Sequence, residues 1–444
     1  MNVRTSLTGA LCACILFLFA FTPYARGEEA ASPPPPLSPA ELAARLETLK
    51  AEMARLEHSL TMMDEGIPAS RAEASVAEMP ASAPASPPAP APPEPAQDAD
   101  SSTKLPPVLN FLSSTNITGM VDGYHQYNVN QPADRIAGLR AFTGPSNEIS
   151  LNMAKLALSK APTTDSRVGF GLSMAFGEAI NVVNGSELGF AQYLEEAYLS
   201  YMVNEKFQVD FGKWVTPIGA EVIESNGNWN YSRGLLFTWA IPFYHYGLRA
   251  NYAINDKTWV TAHLANGWNN VVENNSGKTF ALQVGFSPTE KISVVQNYIV
   301  GPEMFNAGAL RHLLDTIVTY EFNDQLSFMV NYDYGMEEGF LPADPNSKWQ
   351  GVAGYLRYAL SDKAAVASRL EWFQDDDAWS TGVSQQVKEF TQTFEYELAD
   401  GLMTRFEIRR DWSTEPFFLK NTGSFVQNQT TFILGLTYSF DASE

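Results

Sequence analysis

The chain has 444 residues and a formal net charge of −21 at pH 7, and only 18% of its residues are charged. This acidity argues against a nucleic-acid-binding protein, because contact with phosphates requires a basic surface. The sequence has no apolar run of about 18 residues, so it predicts no transmembrane helix. The length allows more than one domain.

Residues 1–27 are predicted to form a secretory signal peptide. A short basic start precedes an apolar run from Ala10 to Phe21, and residues 25–27 provide a cleavage site. Both cysteines, Cys12 and Cys14, lie inside this segment. We therefore expect the mature chain to have no disulfide and no cysteine ligand, and to be exported across the inner membrane of a Gram-negative type of cell.

Residues 38–64 are predicted to form an amphipathic helix. Ser38 is a favourable N-cap, Pro39 suits the first helical position, and Glu41 completes a capping box. A heptad seam follows at Leu42, Leu46, Leu49, Met53, Leu56, Leu60 and Met63. A helix of this length is marginal alone in water, so it needs a partner. It either self-associates, as a trimeric coiled coil, or docks as one helix on another surface.

Residues 65–109 are rich in alanine, proline and serine and show no periodicity. This composition predicts a disordered or polyproline-like linker, which would lie in the periplasm with the helix. A coiled coil on such a spacer could tether an outer-membrane protein to the cell wall. That structural role is one alternative for the whole chain, although no residue in the helix specifies a peptidoglycan site.

From about Asn116 to Phe440, within a barrel domain of residues 110–440, the sequence repeats a unit of alternating apolar and polar residues followed by a break. In residues 326–334, for example, Phe328 and Val330 share one face and Asn331 lies on the other. A period of two makes a sheet with one apolar and one polar surface. The breaks alternate between short and long, as in a membrane barrel with tight periplasmic turns and long outer loops.

Seven short turns separate eight predicted hairpins, and they predict an all-β fold: a transmembrane antiparallel barrel of about sixteen strands. The turns are Pro162–Ser166, Asn204–Lys206, Asn255–Lys257, Pro288–Lys291, Asn323–Gln325, Ser361–Lys363 and Ala399–Gly401. Both ends of the barrel then face the periplasm. The alternation in Glu148–Lys160 slips near Lys155, which indicates a β-bulge. Residues 441–444 form a short tail.

Three motifs in this region carry a family resemblance. They are GKWVTPIGAE (Gly212–Glu221), EEAYLSY (Glu195–Tyr201) and NGW (Asn266–Trp268). Over residues 110–440 the chain resembles the OmpL-like family of β-barrel porins, which implies an outer-membrane porin with diffusion-channel activity. Many outer-membrane barrels end on an aromatic residue, whereas here four residues follow Phe440.

The third long loop, Thr216 to Pro242, is the longest predicted loop. In general porins the third loop folds into the lumen and sets the pore size. The predicted constriction residues are Glu221, Glu224 and Arg233 in the loop and Arg357, Arg369, Arg405 and Arg409 on the facing wall. An acidic loop against a basic wall would create a field across the pore. Alternatively, Glu371, Glu395 and Glu407 pair with these arginines in ordinary lumenal networks.

An enzymatic role is not expected. His245 and His263 lie on adjacent predicted strands and could approach each other. Histidines of the lumen or rim without a catalytic or metal-binding role are the simpler interpretation. No local pattern marks a trio of serine, histidine and acid. We therefore expect no enzyme activity, no cofactor and no metal.

Together these features predict a homotrimeric outer-membrane porin through which small hydrophilic solutes diffuse. From Asn110 onward 37 acidic residues exceed 22 basic ones, a net of −15, which predicts a mild cation preference. Many of the acids would lie in outer loops, where divalent cations could bridge them to lipopolysaccharide. A sugar-specific channel is an alternative, because Trp229, Tyr231 and Trp239 lie in the long loop.

Overall fold

A closed β-barrel forms the part of the chain that the structure describes. The structure is a computed structural model, and it describes residues 114–305, 308–340 and 346–442. The predicted signal peptide, heptad helix and linker lie outside these residues. Within the described ranges, no helix is long and apolar enough to cross a membrane.

Sixteen strands form the barrel, each paired antiparallel with its two neighbours. The barrel strands are β1 (Asn116–Asn128), β2 (Glu148–Lys160), β3 (Val168–Phe176), β4 (Leu194–Asn204), β5 (Phe207–Val215), β6 (Tyr244–Asn255), β7 (Thr258–Ala265), β8 (Thr279–Thr289), β9 (Ile292–Pro302), β10 (Leu310–Asn323), β11 (Leu326–Glu338), β12 (Asn346–Ser361), β13 (Ala364–Asp375), β14 (Gln385–Ala399), β15 (Leu402–Ser413) and β18 (Asn428–Asp441). The loops hold the small ribbon β16 (Phe418–Leu419) and β17 (Phe425–Val426), helices α1 (Glu178–Val183) and α2 (Leu235–Trp239), and 3-10 turns at Gly189–Tyr193 and Ser225–Gly227.

The barrel closes where β1 pairs with β18, so the first and last strands lie side by side. The predicted fold is confirmed: there are sixteen barrel strands, and the seven short connections fall at the predicted turns. The bulge predicted in β2 is present slightly earlier than Lys155. There the pairing with β1 shifts between Asp122 and Gly123, which leaves Asn152 as the extra residue.

The two faces of the wall differ in the way that the alternation predicts. On β18, Leu436 and Tyr438 are exposed on the outside, whereas Gln429 and Thr431 are buried on the inside. Outward aromatic side chains gather near the short turns, at Tyr201, Tyr252, Phe286, Phe322, Tyr358, Tyr396, Tyr438 and Phe440. An exposed apolar band with an aromatic girdle is unfavourable in water but suits a membrane and its interface.

Two long loops share an apolar core inside the barrel. In L1 (129–147), the Phe142 ring lies 5.5 Å from Phe237 and 5.5 Å from Phe243, both in L3 (216–243). Wall residues of several strands join the same cluster. The sequence interpretation missed this core. The apolar stretch from residue 234 to 243 could have indicated it, because such an apolar loop segment is unfavourable in contact with water.

Cysteine labelling should reveal which side of the membrane each connection faces. The described residues contain no cysteine, so each single replacement reports its own position. Asp324→Cys and Asp362→Cys, in exposed short turns, should react with an impermeant maleimide only after the periplasm is opened. Asp376→Cys and Thr422→Cys, in exposed long loops, should react on intact cells. Labelling of all four from one side would contradict this topology.

Candidate functional site

The long loop L3 leaves the two strands that it connects. It joins β5 to β6, yet the backbone N–H of Gly219 donates to Asp315 on β10 at 3.2 Å. Further along, the Ser225 hydroxyl lies 3.4 Å from the Thr437 hydroxyl on β18. L3 therefore contacts inward-facing side chains at widely separated points of the ring.

Two buried carboxylates of the wall accept hydrogen bonds from the backbone of L3. Glu407 on β15 accepts from the N–H groups of Tyr231 (2.7 Å) and Ser232 (3.1 Å). Glu371 on β13 accepts from the first two N–H groups of α2, beginning with Leu235. These N–H groups have no acceptor within the helix, because the first turn of a helix leaves its donors unpaired. The two carboxylates therefore hold the segment from Tyr231 to α2 against the wall.

Arg369 on β13 joins L3 to the wall by charge. Its Nη1 donates to the Glu221 carboxylate at 2.6 Å and to the Ser232 carbonyl at 2.5 Å. Its Nε donates to Glu389 on β14 at 2.7 Å. The Arg369 and Glu221 side chains are only 0% and 3% exposed. Charge-assisted bonds of this kind are strong, and removal of one partner would leave a buried charge uncompensated.

Two more wall arginines bind carbonyl groups of L3. Arg405 donates to Ser225 at 2.5 Å and to Asn228 at 3.0 Å. Arg409 donates to the carbonyl of Arg233 at 2.7 Å. The wall thus supplies acceptors for the N–H groups of L3 and donors for its carbonyls. Buried backbone of an irregular loop needs such partners, since unpaired polar groups are costly away from water.

Glu224 and Arg233, predicted to face the arginine wall, have other partners. Glu224 forms an ion pair with Lys155 on β2. Burial raises the pKa of Glu224, but the Lys155 ammonium outweighs it and holds this pKa below its ordinary value. Arg233 donates to the carbonyls of Tyr231 and Ile223 within L3 itself. The structure therefore brings the side chain of Glu221, and not those of Glu224 and Arg233, to the wall arginines.

The wall arginines are largely paired. Glu395 on β14 lies 3.2 Å from Arg357 and 2.6 Å from Arg405. Arg357 is the most open of the four, with a side chain that is 34% exposed. The site therefore combines two ion pairs between L3 and the wall, Glu221 with Arg369 and Glu224 with Lys155, with a network among the charges of the wall.

Tyr231 of L3 makes a contact that the sequence interpretation did not anticipate. Its hydroxyl donates to the buried Asp122 on β1 at 2.8 Å. Its ring covers Gly435 of β18, where an added Cβ would overlap the aromatic carbons. A glycine inside a strand often marks such a close approach. Gly435 in the last strand was therefore the feature of the sequence that could have indicated this contact.

The two inward histidines lie close together. The His245 and His263 ring centroids are 5.9 Å apart. Trp214 donates to His263 at 3.2 Å, and the Thr216 hydroxyl lies 3.0 Å from the Nε2 of His245. Among the described residues, no group of three or more histidine, cysteine, aspartate or glutamate side chains could hold a metal ion.

Comparisons with known proteins place the barrel among porins. A family model described as "putative beta-barrel porin-2, OmpL-like" matches residues 114–440. The anion-selective porin from Comamonas acidovorans aligns with a TM-score of 0.54 and 10% identity, over 74% of this chain and 99% of that chain. OprB of Pseudomonas putida aligns with a TM-score of 0.52 and 10% identity, over 75% of this chain and 96% of that chain. OmpT of Vibrio cholerae aligns with a TM-score of 0.51 and 13% identity, over 73% of this chain and 97% of that chain. A comparison with curated proteins gives no match.

Proposed function

This chain belongs to the OmpL-like β-barrel porin family, and we propose that it is a passive diffusion channel for small hydrophilic solutes, narrowed by L3. A closed barrel of sixteen strands leaves an interior wide enough for a water-filled passage. The observation that carries the proposal is the set of bonds between the L3 backbone and the buried Glu371 and Glu407. A loop tied in this way narrows the interior at a fixed place.

Ion selectivity would then come from charges that remain partly open. Glu221 and Arg369 neutralise each other and are buried, so they contribute little to the field in the passage. Arg357 and Glu224 are 34% and 22% exposed. Charges that line a passage in this way set its selectivity. These two charges are of opposite sign, so the proposed mild cation preference comes from the net acidity of the barrel.

Bilayer recordings test the proposed function. Purified full-length protein should produce stepwise conductance increases in a planar bilayer, and a salt gradient should give a reversal potential of the sign for weak cation selectivity. Heat-denatured protein is the control. Folded, inserted protein that leaves the bilayer sealed would contradict the proposal and favour the tether between outer membrane and cell wall.

We also propose that the heptad seam of residues 38–64 holds a homotrimer together. Replacing both Leu49 and Leu56 by Asp would place charges in this seam, where burial without a partner is costly. The trimer band on unheated gels should weaken, while the monomer keeps the heat-dependent mobility of a folded barrel. An Asp pair at Ala51 and Ser59, outside the seam, is the matched control. An unchanged trimer would place the oligomer contact elsewhere.

A further inference from the structure

A cavity opens inside the barrel near the periplasmic turns of β4 to β7. Its volume is about 390 Å³, and it lies below the start of L3, with Pro217 as part of its lining. This volume is in the range of small-ligand sites, roughly 300–1,000 Å³. The inward faces of β5, β6, β7 and β8 form most of the wall. The charged groups tied to L3 lie elsewhere, so this cavity is distinct from the loop anchors.

A single buried carboxylate positions three of the polar side chains of the cavity. Asp210 on β5 is 0% exposed. Its Oδ1 accepts from Gln208 at 2.7 Å and from Ser200 at 2.7 Å. Its Oδ2 accepts from Arg249 at 2.8 Å and from Asn251 at 2.9 Å. Three of these donors line the cavity, so Asp210 holds them in place and balances the charge of Arg249.

An aromatic platform lies beside these polar groups. Trp259 on β7 is directly opposite Gly285 on β8, and both lie on the inward face. An added Cβ at Gly285 would overlap the indole ring, so the absence of a side chain leaves room for the ring against the wall. Trp259 remains partly exposed and lines the cavity. Part of the indole is therefore open to an occupant.

The side-chain amide of Gln283 is a further polar group in the lining of the cavity. Its Nε2 donates to the Pro217 carbonyl at 3.1 Å and to Asn297 at 2.9 Å. These bonds engage its amide nitrogen and fix the side chain between L3 and the wall, in the lining of the cavity. The Thr261 hydroxyl, which donates to Asn251 at 3.1 Å, lies next to it.

We propose that this cavity is a subsite for a neutral saccharide, an inference that rests on the proposed channel function and names its solute class. The C–H face of a sugar ring packs on a flat indole, because the faces of aromatic rings are apolar and carry a negative quadrupole. Its hydroxyl groups both donate and accept, which suits the fixed amides of Gln208, Asn251 and Gln283. The lining has no excess charge for a charged solute, since Asp210 neutralises Arg249 and the exposed Glu205 and Lys206 of the lining carry opposite charges.

Titration of the folded full-length protein with maltotriose tests the subsite directly. Calorimetry should detect saturable binding, and the Trp259→Ala variant should weaken it by about tenfold. Trp259→Phe should retain part of the affinity because it keeps an aromatic face. The control is Trp372→Ala, which removes an outward-facing tryptophan of β13 and should leave the binding unchanged. Heat-dependent gel mobility confirms that each variant is folded.

Current recordings separate this inference from the proposed function. In a conducting channel, maltotriose added on the periplasmic side should cause brief blockages that Trp259→Ala shortens. Conductance without any saccharide binding, or equal binding by the wild type and Trp259→Ala, would overturn the subsite and leave the channel intact. Saturable binding of benzoate in place of maltotriose would overturn the saccharide assignment. Saccharide binding without conductance would instead overturn the channel.

Discussion

Replacement of Arg369 by glutamine is expected to destabilise the folded barrel by about 3–5 kcal/mol, the usual cost of breaking a buried ion pair. The Arg369 side chain is 0% exposed and contacts the carboxylates of Glu221 and Glu389. Glutamine keeps an amide donor but no charge, so the buried Glu221 would lose its cationic partner and Glu389 would keep only Arg409, 3.0 Å away. Urea unfolding followed by tryptophan fluorescence measures the free-energy difference.

The matched control is Arg410→Gln. Arg410 lies on the same sheet, one residue after Arg409, but its side chain is exposed. Surface changes of this kind usually alter stability by less than about 0.5 kcal/mol. The double variant Glu221→Gln with Arg369→Gln should recover part of the loss, since the two residues interact directly. Equal unfolding midpoints for Arg369→Gln and Arg410→Gln would show that the buried pair carries no stability.

Replacement of both Glu371 and Glu407 by alanine is expected to release L3 from the wall. Four backbone N–H groups would lose their acceptors, and each buried unpaired group costs ~1–3 kcal/mol. The combined cost of these four unpaired groups favours conformations in which the loop is displaced or solvated. Single-channel recordings should then show a larger conductance and frequent current fluctuations.

Glu397→Ala is the control for this loop release. Glu397 lies on β14 on the same inward face as Glu395, near the short turn to β15 and away from the Glu371 and Glu407 sites. Its replacement should leave the amplitude and the noise of the current unchanged. If the double alanine variant is folded and conducts as quietly as the wild type, the carboxylate bonds do not fix L3.

The sequence predicts the wall of the barrel well because the wall depends on local rules. Alternation places Arg369, Arg405 and Arg409 on the inward face, and each short turn is marked by its own turn-forming residues. The strand count and the position of the longest loop follow from the same pattern. Even the bulge in β2 leaves a local trace, a shift of phase within Glu148–Lys160.

The partners of L3 depend on contacts between distant parts of the chain. The sequence alone does not show which of several possible partners each loop residue contacts. Glu221 and Glu224 are three residues apart, yet one pairs with Arg369 and the other with Lys155. The role of Glu407 as an acceptor for loop N–H groups also has no local signature. Such choices follow from how the loop packs, which apolar residues such as Phe237 direct as strongly as the charges do.

The central claim is that L3 lies inside the barrel against its wall. A disulfide between L3 and β18 tests this claim most directly. The hydroxyls of Ser225 and Thr437 are 3.4 Å apart, and the only native cysteines of the chain are Cys12 and Cys14. The Ser225→Cys, Thr437→Cys variant should therefore form an internal disulfide on mild oxidation, visible by mass spectrometry and by altered gel mobility. Ser225→Cys paired with Ser327→Cys, on the inward face of β11, should not.

The cross-linked channel should also conduct as the wild type does, because the disulfide would fix a contact that already exists. A loop that lies outside the lumen gives the opposite result. The two cysteines would then stay reduced, Ser225→Cys would react rapidly with an impermeant reagent on intact cells, and the assignment of L3 to the interior wall would be wrong.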